Sequence, residues 1–168
     1  KKNIEIETFF MAKDIINKIN SSYLIMDKKK KTARPISYKD VSILVCKPNL
    51  FISTQKVYQG LDLNNIKNRP DNKYLMHCLE KDDIKSLASN MVNVLETVTS
   101  KEHSEIKEIE RIMMNNNALG SMMSGSGPTV FGLFESKEDA LRGKEELLKT
   151  YEQVYVVNSS EKGVEVDG

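Results

Sequence analysis

Apolar positions along the chain alternate between two periods, and the switches between them set the order of elements. Val41 to Val45 is an unbroken run of β-branched residues and leucine that closes before Pro48, which reads as a first core strand. Ser53 or Thr54 offers a side-chain oxygen to the first turn of a helix that presents Val57, Tyr58 and Leu61. After Pro70, the residues Tyr74, Leu75, Cys78 and Leu79 recur at helical spacing. Asp82 and Asp83 open another helix whose inward face runs through Ile84, Leu87 and Ala88 and on to Met91, Val92 and Leu95. From Lys101 the stretch KEHSEIKEIERIMM places Ile106, Ile109, Ile112 and Met113 on one face, with charged residues outside. Leu119 to Met123 and Thr129 to Phe134 read as two strands. Ser136 caps a helix with Ala140, Leu141, Leu147 and Leu148 inward, and Gln153 to Val157 is the last strand.

The order strand, helices, strand, strand, helix, strand is that of a ferredoxin-like split βαβ unit. The predicted class is therefore α+β, an antiparallel sheet with helices on one face. Residues 41–158 form this domain. Residues 1–40 read as an appendage or the remnant of a preceding domain, with a helix from Glu7 to Asn20, a short apolar run at Tyr23 to Met26, and the lysines 28–31, which suit a solvated loop better than a nucleic-acid patch. Residues 159–168 form a tail with little to bury. The first residue is Lys rather than Met, so the sequence reads as starting partway through a longer protein.

Composition narrows the picture modestly. A chain of 168 residues, 39% hydrophobic and 29% charged, has the usage of an ordinary globular domain. A net charge of +1 does not steer it toward nucleic acid or an anionic membrane. No apolar run approaches the ~20 residues that span a bilayer. Cys46 and Cys78 fall in a strand and a helix, which favours buried free thiols and a reducing, cytoplasmic home. His77 and His103 lack metal-ligand spacing. Composition leaves the oligomeric state open.

The candidate chemistry lies in residues 118–134, ALGSMMSGSGPTVFGLF. Gly125 and Gly127 alternate with Ser124 and Ser126 between two apolar runs. Glycines there permit positive φ and close approach, and successive N–H groups in such a turn can form an anion-accepting concavity. A structural strand-to-strand turn fits the composition as well, and a flexible linker fits less well because apolar residues bracket the run. Neither the Walker Gly-Lys-Ser/Thr nor the Gly-x-Gly-x-x-Gly spacing is present.

This run resembles the third sequence motif of the GHMP small-molecule kinases. It is most similar to the form found in those members that phosphorylate a cytidine diphosphate alcohol of the non-mevalonate isoprenoid pathway. Residues 43–58, ILVCKPNLFISTQKVY, and residues 90–119, with Asn93, Leu95 and Glu96 ahead of a helix ending in Asn-Ala-Leu, follow that family's order. The resemblance covers residues 41–158 and implies a C-terminal kinase domain. It implies ATP and Mg²⁺ as cofactors, and a small-molecule partner that is a cytidine diphosphate derivative. By carry-over, Tyr58 stacks on the cytosine ring, Thr54 lies in the same pocket, and Ser124, Gly125, Ser126 and Gly127 lie beside the phosphates. Lys47 and Lys56 flank the pocket in sequence as candidates for the diphosphate, with a solvent-facing placement as the commoner outcome for such lysines. Asn93 and Glu96 match family positions and receive no catalytic role.

The family's nucleotide loop, catalytic Asp and Lys belong to its N-terminal domain. No Pro-x-x-x-Gly-Leu-Gly-Ser-Ser stretch occurs here, so this polypeptide alone is expected to be inactive, with no catalytic residue of its own. Two alternatives stay open: a GHMP kinase for another alcohol, such as homoserine or mevalonate, and a non-catalytic ferredoxin-like binding module.

Overall fold

The computed structural model describes residues 41–158, and the features expected in 1–40 and 159–168 lie outside the described residues. Four strands, β1 (Ser42–Lys47), β2 (Gly120–Met123), β3 (Val130–Phe134) and β4 (Gln153–Asn158), form one sheet in the order β2-β3-β1-β4. Every neighbouring pair is antiparallel, with Val45 opposite Phe131 on one side and Tyr155 on the other. Six helices complete the described chain: α1 (Thr54–Gln59), α2 (Asn72–Glu80), α3 (Ile84–Ser89), α4 (Glu96–Glu102), α5 (Glu105–Asn115) and α6 (Lys137–Leu147). The order and pairing are those expected of the split βαβ unit.

β1 is central and buried on both faces, which is why its sequence is continuously apolar rather than alternating. Leu44 and Cys46 point into a core with Ile106, Ile109 and Met113 of α5, Ala140 and Leu147 of α6, and Phe134 of β3. Burying each large side chain of this set contributes about 1.5–3 kcal/mol. Ile43 and Val45 face the other way, into a smaller cluster with Phe131, Leu133 and Ala88. The two long helices thus share one face as expected, and short α3 covers the β2–β3 end of the other. Gly120 makes that cover close, since a Cβ there would lie 2.1 Å from the Ala88 carbonyl oxygen.

Local chemistry explains the helix starts. Ser53, Asp71, Asp83 and Ser136 each accept a backbone N–H of the following first turn, a contribution of about 1 kcal/mol apiece. Four expectations are corrected. The helix opened by Asp83 stops at Ser89, because the Asn90 side chain donates to the Ser86 carbonyl at 2.8 Å and closes the last turn. The chain then leaves helical geometry before Leu95, and a separate helix, α4, precedes His103, whose extended backbone (φ −129°, ψ 85°) splits it from α5. In α6 the inward positions are Ala140, Gly143 and Leu147, spaced three and four apart, while Leu141 and Leu148 are exposed. Tyr74 likewise turns outward from α2, where Cys78 and Leu79 are the buried residues.

Both cysteines are buried free thiols, and burial pushes the Cys46 thiol up to about 12, leaving it without thiolate character. Among the described residues, no helix is long and apolar enough to cross a membrane.

Candidate functional site

The β2–β3 connection, residues 124–129, is a tight loop closed by Ser124 N–H donating to Thr129 O at 2.7 Å and Gly127 N–H donating to Ser124 O at 3.0 Å. Gly125 (φ +58°) and Gly127 (φ +88°) both take the left-handed region, so the two glycines meet a backbone requirement. The Gly127–Pro128 peptide is cis. Within the described residues, the N–H groups of Gly125 and Ser126 find no acceptor.

The chain brings α1 against this loop. Thr54 Oγ1, at the first turn of α1, lies 2.9 Å from Ser126 Oγ. Val57 is the buried residue of α1, which turns Tyr58 outward, 61% exposed. Tyr58, Leu61, Asn93, Ser124 and Gly125 line one cleft of about 390 Å³. Of the six residues singled out from the sequence, Tyr58, Ser124 and Gly125 share this cleft, Thr54 is tied to the loop through Ser126, and Thr54, Ser126 and Gly127 do not line it. Lys56 does not join them: it lines a second cleft of about 360 Å³ with Phe51 and His103. Lys47 sits half-buried at the end of β1.

Three further residues hold the loop, and sequence reasoning gave them no role. Asn93 Nδ2 donates to Met123 O at 2.8 Å and to Gly125 O at 2.7 Å, while its Oδ1 accepts from Leu95 N–H. Glu96 Oε2 accepts Met123 N–H at 2.9 Å. Thr99, buried in α4, donates to Ser126 O at 3.2 Å. The signal for Asn93 and Glu96 was their place in the matched run. Thr99 carried none, since one threonine in a short helix looks like any other.

Behind the clamp lies a charged relay. Lys107 pairs with the other Glu96 oxygen and, at 2.9 Å, with Glu110. Burial and then the neighbouring Glu96 push the Glu110 carboxyl up to about 7, against the pull of Lys107, and Glu110 Oε1 has no partner among the described residues. A carboxyl whose folded pKa lies above its ordinary 4.5 stabilises the fold fully below that value, and the contribution is lost as pH rises through about 7. Wild-type protein is therefore expected to lose stability relative to Glu110→Gln between pH 4.5 and 7.5. The loss should be on the order of 1 kcal/mol after screening at a partly solvated site. Thermal unfolding at both pH values reads this, and parallel profiles for the two proteins would contradict it.

The described residues contain no group of three or more His, Cys, Asp or Glu placed to hold a metal ion. The loop is suited to accept anionic oxygen through N–H groups.

Residues 75–153 match the family model for the GHMP kinases C terminal. A 4-diphosphocytidyl-2-C-methyl-D-erythritol kinase of Clostridioides difficile (strain 630) is 69% identical over 129 residues, which span 77% of this chain and 44% of that protein. A protein of the same name from Caldicellulosiruptor bescii is 41% identical over 125 residues, spanning 74% of this chain and 44% of its own length. The chain thus spans less than half the length of these curated relatives. Among solved structures, a 4-(cytidine 5'-diphospho)-2C-methyl-D-erythritol kinase superposes at a TM-score of 0.57 with 24% identity, over 68% of this chain and 41% of that one. Homoserine kinase from Cytophaga hutchinsonii superposes at 0.62 with 20% identity, over 79% and 45%. These two structural likenesses concern the fold alone.

Proposed function

We propose that this chain, whose residues 75–153 match the model for the GHMP kinases C terminal and which is 69% identical to a relative over 129 residues, forms the substrate-side wall of an ATP-dependent kinase. That enzyme phosphorylates the 2-hydroxyl of 4-diphosphocytidyl-2-C-methyl-D-erythritol, a step of non-mevalonate isoprenoid biosynthesis. The observation that carries the reading is the shared cleft: an exposed tyrosine on α1 lines the same space as Ser124 and Gly125 of the glycine loop.

In this reading the Tyr58 ring stacks on the cytosine face, and the short, two-torsion side chain loses little rotamer freedom in doing so. Thr54 and Ser126, already hydrogen-bonded to each other, tie the start of α1 to the loop. The Gly125 and Ser126 N–H groups offer fixed donors to phosphate oxygen. In the transfer itself, the alcohol oxygen bonds to the γ-phosphorus of ATP, the bond to the bridging oxygen of ADP breaks, and the hydroxyl proton leaves. Mg²⁺ would neutralise charge on the phosphates. The proposed setting is the cytoplasm.

Calorimetric titration of the full-length protein tests this reading. Cytidine 5'-diphosphate binds, mevalonate and homoserine do not, and ATP is consumed only with the cytidine-bearing alcohol. Binding of homoserine or mevalonate instead would move the protein to another branch of the family. Binding of none of the three would support a non-catalytic module.

A further inference from the structure

A hairpin end that holds two positive-φ glycines is costly to order, and β2 is an edge strand whose outward backbone groups ordinarily face water. Here both backbone groups of Met123 are taken by side chains, its N–H by Glu96 and its C=O by Asn93. The next carbonyls along the loop are held from the same side, Gly125 O by Asn93 and Ser126 O by Thr99. A side-chain array from one short segment, residues 93–99, thereby stands where a fifth strand would pair.

Peptide planarity gives this array a direction. In a trans peptide the N–H points opposite to the C=O. Fixing Gly125 O on Asn93 at 2.7 Å therefore aims the Ser126 N–H away from the clamp. Fixing Ser126 O on Thr99 turns the Gly127 N–H back into the loop, where it meets Ser124 O at 3.0 Å. Asn93 cannot rotate to undo this, since its Oδ1 is occupied by Leu95 N–H at 3.0 Å. Glu96 is held in turn, its second oxygen on Lys107, which Glu110 anchors at 2.9 Å.

We propose that Asn93 and Glu96 are positioning residues that fix the peptide planes of the glycine loop so that the Ser126 N–H is presented as a preorganised donor to anionic oxygen in the transfer step. This rests on the kinase reading for its consequence in catalysis, while the clamp itself is independent of that reading. Preorganised donors are effective because they need no reorientation when charge develops. Loss of the clamp therefore falls on turnover more than on substrate capture, which the untouched Tyr58 retains.

The test uses the full-length protein with Asn93→Ala, Glu96→Ala and Glu96→Gln. The two alanine variants are expected to lose about 10- to 100-fold in kcat, with KM for the cytidine-bearing alcohol within about threefold of wild type. Glu96→Gln, which keeps an oxygen for Met123 N–H, stays within about threefold in both. Hydrogen exchange supplies a readout that needs no activity. In Glu96→Ala the Met123 amide exchanges at least about tenfold faster, and in Asn93→Ala the Gly127 amide does, while amides of β1 and β3 keep their protection and report an intact fold. Unchanged kcat in either alanine variant, or a rise in KM that accounts for the whole loss, overturns the positioning role. Unchanged exchange at Met123 and Gly127 overturns the clamp. An inactive wild-type protein with the expected exchange pattern overturns the kinase consequence and leaves the clamp standing.

Discussion

Replacing Tyr58 with alanine is expected to raise the KM for the cytidine-bearing substrate by between about 5- and 150-fold, the range that follows from a stacking contribution of ~1–3 kcal/mol per base. The side chain is 61% exposed and packs little of its ring on the core, so the same substitution should change folding stability by less than about 0.5 kcal/mol. Tyr58→Phe retains the ring face and should stay near wild type. The separation of effects is the point, because a tyrosine that merely covered the core would lose stability and binding together. Steady-state kinetics beside thermal unfolding of the same three proteins checks it. A KM unchanged in Tyr58→Ala would remove the ring from the site.

Gly127→Ala should be the most damaging single change in the loop, costing about 2–5 kcal/mol in stability and most of the activity. Two effects add at this position. A non-glycine residue at φ +88° is strained by about 1–2 kcal/mol. The new Cβ would also lie 2.6 Å from Met123 Sδ and 3.2 Å from Ile52 Cδ1, and overpacking of that kind costs ~1–3 kcal/mol. Gly125→Ala provides the control: φ is +58°, and a Cβ there meets nothing within 4 Å. Only the backbone term remains, about 1 kcal/mol. Differential scanning calorimetry of both variants decides between this account and one in which the loop is a loose connection, for which both alanines would be nearly neutral.

The contrast between those glycines shows what the sequence disclosed and what it withheld. The Gly-Ser alternation between apolar runs marked a bend between two strands at which glycine permits positive φ. It could not rank Gly125 against Gly127, because the difference lies in Met123 and Ile52, which come from β2 and from the segment before α1. The fold class was readable from the succession strand, helices, strand, strand, helix, strand, which is that of a split βαβ unit. The helix ends were less so. A face running from Ile84 to Leu95 looks unbroken by period alone, yet Asn90 bonds back to Ser86 and frees residues 91–95 from the helix. That interruption is what lets Asn93 reach the loop, so the residue that broke the pattern also supplied the site. Thr99 had no pattern to break. The pairing of Thr54 with Ser126, 72 positions apart, is tertiary and had no trace in spacing. Tyr58 and Thr54 entered through resemblance, and only the fold brought them to the loop that resemblance had also singled out.

The central claim is that the tyrosine on α1 and the glycine loop make one wall that takes a cytosine nucleotide. Its most direct test is an amide chemical-shift titration of the full-length protein with cytidine 5'-diphosphate. The account predicts saturable shifts confined to residues around Tyr58 and to 123–127, with Tyr58→Ala abolishing both sets. Shifts that cluster around Phe51 and His103 on the far side of α1, or shifts at the loop that persist in Tyr58→Ala, would contradict it.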